Sequence, residues 1–483
     1  MEIKNLKPAL VWDYFYQITQ VPRPSKKEEK IVQFLLDFAK QNSLEVVKDA
    51  ADNVLIKKPA TPGKENLKTI ILQSHVDMVC EKNSDTVFNF ETDPIQPRIE
   101  NGWVKATGTT LGADDGIGMA VALAILASND IEHGPIVSLF TSDEETGLTG
   151  AFALQKELLE GDILINLDTE EWGEFCIGCA GGKSTTGTFT YKKTAAPSDH
   201  FWFEVQVSGL NGGHSGSDIN VGLGNANQIL TRYLWSLLQD CPLVLASIDG
   251  GNLHNAIARE AKATAGVPVA CKERTIVLLN QLQAEVAAEL AKVDPNVQLS
   301  IQSVEAPQNV IDNETGKALI NALYALPHGV IGMSHEIQGL VETSSNLASV
   351  KMKDDCKIVV TTSQRSSTDS LKIDIVNKVT SVFRLAGAEA KSTEGYPGWK
   401  PNPNSPVLKV SEETFENLFG EKPKVIAIHA GLECGLFFEK NSSLDMISCG
   451  PTILGAHSPD ERLEISSVEK WWDFLVKLLA NIK

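Results

Sequence analysis

A chain of 483 residues is longer than one hydrophobic core supports, so two or more domains are expected. With 42% apolar and 22% charged residues, and neither Pro nor Gly in excess, the composition is that of an ordinary globular protein. A formal net charge of −19 argues against nucleic-acid and anionic-membrane partners, because both select a basic face.

The opening segment, MEIKNLKPALVWDYF, is broken by charges and a proline and does not read as a secretory signal. SKKEEKIVQFLLDFAKQNS then predicts a helix, opened by a capping box of Ser25 and Glu28. Four strands follow in pattern: NVLIKK from Asn53, TIILQSHVD from Thr69, PIVSLFTSDEE from Pro135 and ILINLDTE from Ile163. The last three are nearly continuous apolar runs, as central strands covered on both faces should be. GIGMAVALAILAS from Gly116 is too short to span a bilayer and reads as a buried covering helix. AFALQKELLE from Ala151 reads as a second one. The class predicted is α/β, with a mostly parallel central sheet covered by helices.

From Gly181 (GGKSTTGTFTYKKTAAPSDH) and again from Lys391 (KSTEGYPGWKPNPNSP) the chain turns small, polar and rich in Pro, Gly and Asn. These shifts read as crossings into and out of an inserted α+β domain. The expected organisation is 1–190 for the first part of the main domain, 191–395 for the insert and 396–483 for the remainder. At both ends of the insert a strand precedes a helix: FWFEVQVSG before NANQILTRYLWSLLQ, and CKIVVTTSQ before LKIDIVNKVTSVFRLAG. After the second crossing, SLDMISCG and SVEKWWDFLVKLLANI resume the α/β pattern. The 8 cysteines are scattered, which fits reduced thiols in a cytoplasmic protein. Cys176 and Cys179 form a lone CxxC, read as buried rather than as a zinc or redox pair.

The acidic residues and histidines carry the chemistry. His75 and Asp77 end one strand, Glu144 and Glu145 the next and Asp168 the one after; Asp114 lies just before the apolar helix. Sites in open parallel sheets gather at the carboxyl ends of strands, so these groups should meet. Carboxylates crowded there repel one another unless cations are bound. Histidine mixed with carboxylate suits zinc, manganese or cobalt better than calcium. A shared carboxylate would hold two ions about 3.5–4 Å apart, the arrangement of two-metal hydrolases. One of the two adjacent glutamates could then take a proton from the activated water. Taken singly, each feature has an ordinary reading: HxD as a surface pair, the paired glutamates as a solvated turn, Asp114 and Asp115 as a helix cap. Their joint occurrence at consecutive strand ends, with HSPDE near the C-terminus, favours the functional one.

HVDMV, TGTTLGADDGIG, TSDEETGLTG, NLDTEE, GGHSG and GAHSPDE resemble, in order, motifs of the dizinc peptidase family of aminoacylase, carboxypeptidase G and bacterial di- and tripeptidases. NGWVKATGTTLGADDGIGMA, GGNLHNAIARE and HAGLECG resemble its aminoacyl-histidine dipeptidase branch in particular. The resemblance covers essentially the whole chain and implies a catalytic domain carrying an inserted lid and dimerisation domain. It implies two Zn2+ (Co2+ or Mn2+ in their place), with His75 and Asp168 on one ion, Glu145 and His457 on the other, and Asp114 bridging. It also implies Asp77 as the orienter of His75, Glu144 as general base and His214 as oxyanion donor. Asn255, Arg365 and the backbone near Gly431 are implied in holding a dipeptide substrate. A homodimer is implied as well, because in relatives the histidine matching His214 can come from a partner subunit. Asp115 departs from the Asn common in relatives, at a peptide bond typically cis in the family. His133, His200, His254, His328 and His335 have no motif around them. His429 either touches substrate or supports its loop. The activity implied is zinc-dependent hydrolysis of unblocked dipeptides, Xaa-His among them. The alternatives left open are a tripeptidase, deacylase or desuccinylase, or a non-catalytic metal-binding homologue.

Overall fold

The computed structural model describes residues 2–483. They form two compact units: one holds the chain up to Cys179 together with Trp399–Ala427 and Leu432–Lys483, the other Ala180–Gly398 with Ile428–Gly431.

In the first unit the apolar runs become the strands Ile70–His75, Ile136–Thr141 and Ile163–Asn166, buried along their whole length. Ile70–His75 lies between the other two and parallel to both, with His75 beside Thr141 and Gln73 beside Asn166. Asp445–Ser448 adds a further parallel strand next to Ile163–Asn166. The margins are antiparallel: Glu45–Lys48 and Val54–Lys58 on one side, Glu174–Cys179 on the other. The connection between Lys48 and Val54 is too short for a parallel crossover, which forces that hairpin. Cys176 and Cys179 are buried in Glu174–Cys179.

The apolar helix spans Ala113–Ala127, opening before Gly116, and is buried on every side from Ala113 to Leu126. Its many alanines let it lie close against the strand Ile70–His75 and the helix Ala9–Thr19. Two local expectations are corrected. AFALQKELLE forms no long helix, only Thr149–Ala153 and a 3-10 turn at Lys156–Leu158. Tertiary anchors override its helical pattern: the Gly150 N–H donates to Ser142 O (3.0 Å), and Gly150 O accepts from Asn53 Nδ2 (2.9 Å). Nor does Ser25 cap its helix. Glu29–Gln41 starts without a side-chain cap, and the Ser25 hydroxyl donates to Asp77 Oδ2 at 2.7 Å instead.

The second unit is α+β. A 9-stranded sheet is paired antiparallel throughout, including His200–Ser208, Val341–Lys353, Lys357–Ser366 and Gly181–Thr190. The helices Ala226–Asp240 and Asp369–Leu385 follow the strands the pattern assigned to them. Phe203, Tyr233, Leu319, Leu347, Val379 and Phe383 belong to its core. Among the described residues no helix is long and apolar enough to cross a membrane.

Leu123 is fully buried in the helix Ala113–Ala127. Leu123→Ala should therefore destabilise the protein by about 2–5 kcal/mol, read as a lower urea midpoint at unchanged m-value.

Candidate metal centre

The parallel centre of the first unit's sheet brings three strand ends together. His75 is the last residue of Ile70–His75, and Asp168 follows Asn166 by two positions. Glu144 and Glu145 do not close a strand: they open a short helix, Glu144–Gly147, just beyond Thr141. Asp114 stands at the head of the buried helix with non-helical backbone (φ −79°, ψ 113°), and the Asp114–Asp115 peptide is cis.

Asp114 is shared between two histidines. Its Oδ1 lies 3.0 Å from His75 Nε2 and its Oδ2 3.1 Å from His457 Nε2. Asp168 Oδ1 faces His75 Nε2 at 3.6 Å, and Glu145 Oε2 faces His457 Nε2 at 3.1 Å. The other ring nitrogen of His75 lies 3.3 Å from Asp77 Oδ1. Ligand atoms of His75, Asp114 and Glu145 all fall within 4.8 Å of one another. Both halves of the cluster offer imidazole nitrogen and carboxylate oxygen, the donor set of zinc, manganese or cobalt, so the residues present fit a pair of divalent cations.

The electrostatics point the same way. Burial pushes Asp168 up to about 7, against the opposing pull of His75. Burial likewise raises Glu433 to about 7. Glu144 is held well above the usual carboxylate range, by burial first and then by Asp168, Glu433 and Glu145. Hydrogen bonds to Asp114 and Glu145 push His457 up to about 11. For His75, burial disfavours the charged ring, but Asp168, Asp114 and Asp77 outweigh it and raise its pKa. Without a cation, protons must neutralise this cluster; bound cations can take their place.

Several supporting residues were not legible as such in the sequence. The Glu461 carboxylate accepts from the N–H groups of Leu111 (2.7 Å), Gly112 (3.0 Å) and Ala113 (2.7 Å), fixing the loop that carries Asp114. Arg23, 2% exposed, donates to the carbonyls of Val76, Asp77 and Gly112 and so ties the His75 and Asp114 segments together. Asp77 accepts from the N–H groups of Glu144 (3.0 Å) and Glu145 (3.2 Å) as well as from Ser25. Burial opposes its charge, yet these bonds and His75 hold it down to about 2. Buried Glu433 accepts from Gln73 (2.6 Å) and Thr141 (2.8 Å). Glu461 was visible only as the end of HSPDE, and Glu433 only as part of HAGLECG.

A second group lies within the other unit. His214 Nδ1 accepts from the N–H groups of Gly216 (3.3 Å) and Ser217 (3.2 Å), so the neutral ring carries its proton on Nε2. Burial and then Arg365 lower its pKa, favouring that neutral form. Its Nε2 faces Arg365 Nη2 at 3.4 Å, two donors side by side, while Arg365 Nη1 donates to the Tyr396 hydroxyl at 2.8 Å. A Cβ on Gly431 would lie 2.8 Å from the Tyr396 ring. Asn255 joins through its carbonyl, which accepts from Ser215 N at 2.8 Å. His429 is buried and bonded to Ser344 Oγ (2.7 Å).

The chain belongs to the peptidase family M20/M25/M40, which it matches over residues 71–481. It is 44% identical over 481 residues to the cytosol non-specific dipeptidase of Escherichia coli (strain K12), a match spanning 100% of this chain and 99% of that one. A crystal structure of aminoacylhistidine dipeptidase from Vibrio alginolyticus matches with a TM-score of 0.92 at 43% identity, over 100% of this chain and 98% of the other. A tripeptidase from Staphylococcus aureus, 17% identical with a TM-score of 0.57 over 99% of each chain, shares the fold.

Burial, with Arg365 nearby, pushes His429 down to about 3, far below an unfolded histidine. Between about pH 6.5 and 3 the unfolded chain therefore binds a proton that the folded one refuses, so this stability is complete above 6.5 and lost as pH falls. His429→Gln should flatten that part of the acid dependence, seen by comparing urea unfolding of both proteins at about pH 7 and about pH 5.

Proposed function

We propose that the protein is a metal-dependent dipeptidase acting on unblocked dipeptides, Xaa-His peptides among them. Two close relatives bear dipeptidase names, one of them an aminoacylhistidine dipeptidase. The observation that carries the reading is Asp114, whose two carboxylate oxygens each meet a different histidine. In this reading His75, Asp114 and Asp168 would hold one Zn2+, and Asp114, Glu145 and His457 the other, with Co2+ or Mn2+ as substitutes. Bound there, such a pair supplies Lewis-acid polarisation of the scissile carbonyl and lowers the pKa of the attacking water. Asp77 fixes the ring of His75, and with it which nitrogen meets the ion.

Glu144 is the general base. None of the ion-holding roles uses its carboxylate, which leaves that group to take a proton and later release it. It removes the proton as water attacks the carbonyl carbon, then delivers it to the departing amine nitrogen when the C–N bond breaks. His214, neutral and protonated on Nε2, is suited to donate to the tetrahedral oxyanion without adding a charge. Arg365 takes the C-terminal carboxylate, and Asn255 and the Gly431 backbone hold the remainder of the dipeptide.

Glu144→Ala should keep its metal content by elemental analysis while turnover falls about 10²–10⁴-fold. Substantial residual activity would refute the base assignment. Substrate class is tested by a panel of carnosine, glycyl dipeptides, tripeptides and N-acylated amino acids with the metal varied. Hydrolysis is expected for the dipeptides and should disappear on chelation. Preferential cleavage of tripeptides or N-acylated amino acids would replace the dipeptidase reading with another amide hydrolase of the family.

A further inference from the structure

We infer that Tyr396 is a positioning residue for substrate recognition: its hydroxyl ties up one arm of Arg365 so that the opposite edge of the guanidinium is presented to the substrate carboxylate. The inference rests on the reading of Arg365 given above and assigns a role to a tyrosine lying in what the sequence suggested was a crossing out of the inserted domain.

The arrangement follows from sheet geometry. Ser344, Arg365 and Gly182 occupy one lateral row on three neighbouring strands, and Gly182 in turn bridges Tyr396. The Gly182–Tyr396 bridge is closed in both directions, Gly182 N to Tyr396 O at 3.1 Å and Tyr396 N to Gly182 O at 2.9 Å. Side chains in one row share a face of the sheet, so Tyr396 must pass over Gly182 to reach Arg365. Only glycine allows this. A Cβ on Gly182 would lie 2.6 Å from both the Tyr396 hydroxyl and Cζ. Gly431 closes the slot from another direction, its own Cβ position falling 2.8 Å from Tyr396 Cε2. Lys372 Nζ, donating to Tyr396 O at 2.9 Å, anchors the backbone.

The hydroxyl of the ring so held accepts from Arg365 Nη1 at 2.8 Å. What remains of the guanidinium is the edge formed by Nε and Nη2. Arg365 is 7% exposed, and its Nε is buried without a hydrogen-bond partner among the described residues. Nη2 meets only the protonated Nε2 face of His214 at 3.4 Å, itself a donor. A buried edge of two parallel donors, Nε without a partner and Nη2 with only the long contact to His214, matches the two oxygens of a carboxylate. The phenol prevents the guanidinium from rotating to spend that edge elsewhere.

The test is a double-mutant cycle of Tyr396→Phe and Arg365→Gln, assayed with glycyl-leucine on the metal-loaded enzyme. Tyr396→Phe keeps the ring in its slot, so the melting temperature should stay within about 2 °C of the parent while KM rises about 10-fold and kcat changes less than about 3-fold. Arg365→Gln should raise KM further, and adding Tyr396→Phe to it should cost nothing more. Equal KM costs in both backgrounds, or a fall in melting temperature that accounts for the loss, would show a merely structural tyrosine and overturn the inference. If Arg365→Gln raises KM but Tyr396→Phe does not, the positioning role fails while the carboxylate reading stands. If Arg365→Gln leaves KM unchanged, that reading fails and the inference with it.

Discussion

Negative charge buried at the carboxyl edge of a parallel sheet is the constraint around which the first unit is organised. Asp77, Asp114, Asp168, Glu433 and Glu461 are buried, or nearly so, in one neighbourhood. Histidine, arginine and backbone N–H groups surround them, each placed by a different segment. The parallel register decides where strand ends fall, and so places His75 beside the turn that carries Glu144 and Glu145. Glu461 and Arg23 then hold the loops whose backbone would otherwise be free to retreat from one another. Folding energy is committed to keeping these acidic groups together, a pattern that clusters at functional sites.

Much of this was legible because the sequence signals were local and regular. Continuous apolar runs mark strands buried on both faces, and His75, Asp114, Asp168 and His457 stand in short motifs at the ends of elements. What stayed hidden depends on distant partners. Ser25 and Glu28 have the spacing of a capping box, but a buried carboxylate 52 residues away from Ser25 is a stronger claim on its hydroxyl than a solvated helix end. AFALQKELLE has helical spacing, yet Gly150 is pinned on both its backbone groups, and Leu148 takes a left-handed conformation (φ 57°) just before it. The sheet margins were invisible for the same reason: pairing direction is set by connection geometry, not by hydrophobic pattern.

In the second unit the sequence named His214 and Arg365 but said nothing of how they are held. The turn after His214 supplies two N–H groups to one ring nitrogen, which favours one tautomer. Tyr396 sits in a stretch whose Pro, Gly and Asn read as a domain crossing. Its role depends on the absence of side chains at Gly182 and Gly431, and an absence leaves no periodicity to detect.

Asp77 was described as the partner of His75, yet its two oxygens also accept from the backbone of Glu144 and Glu145. One carboxylate is thus the common hinge pin for a histidine at the end of one strand and a pair of glutamates opening the short helix beyond the next. No drift in the first can leave the second undisturbed. A lineage descending from this protein could change the residues around the cluster one by one. The parts joined at Asp77 could be inherited only together, or lost together.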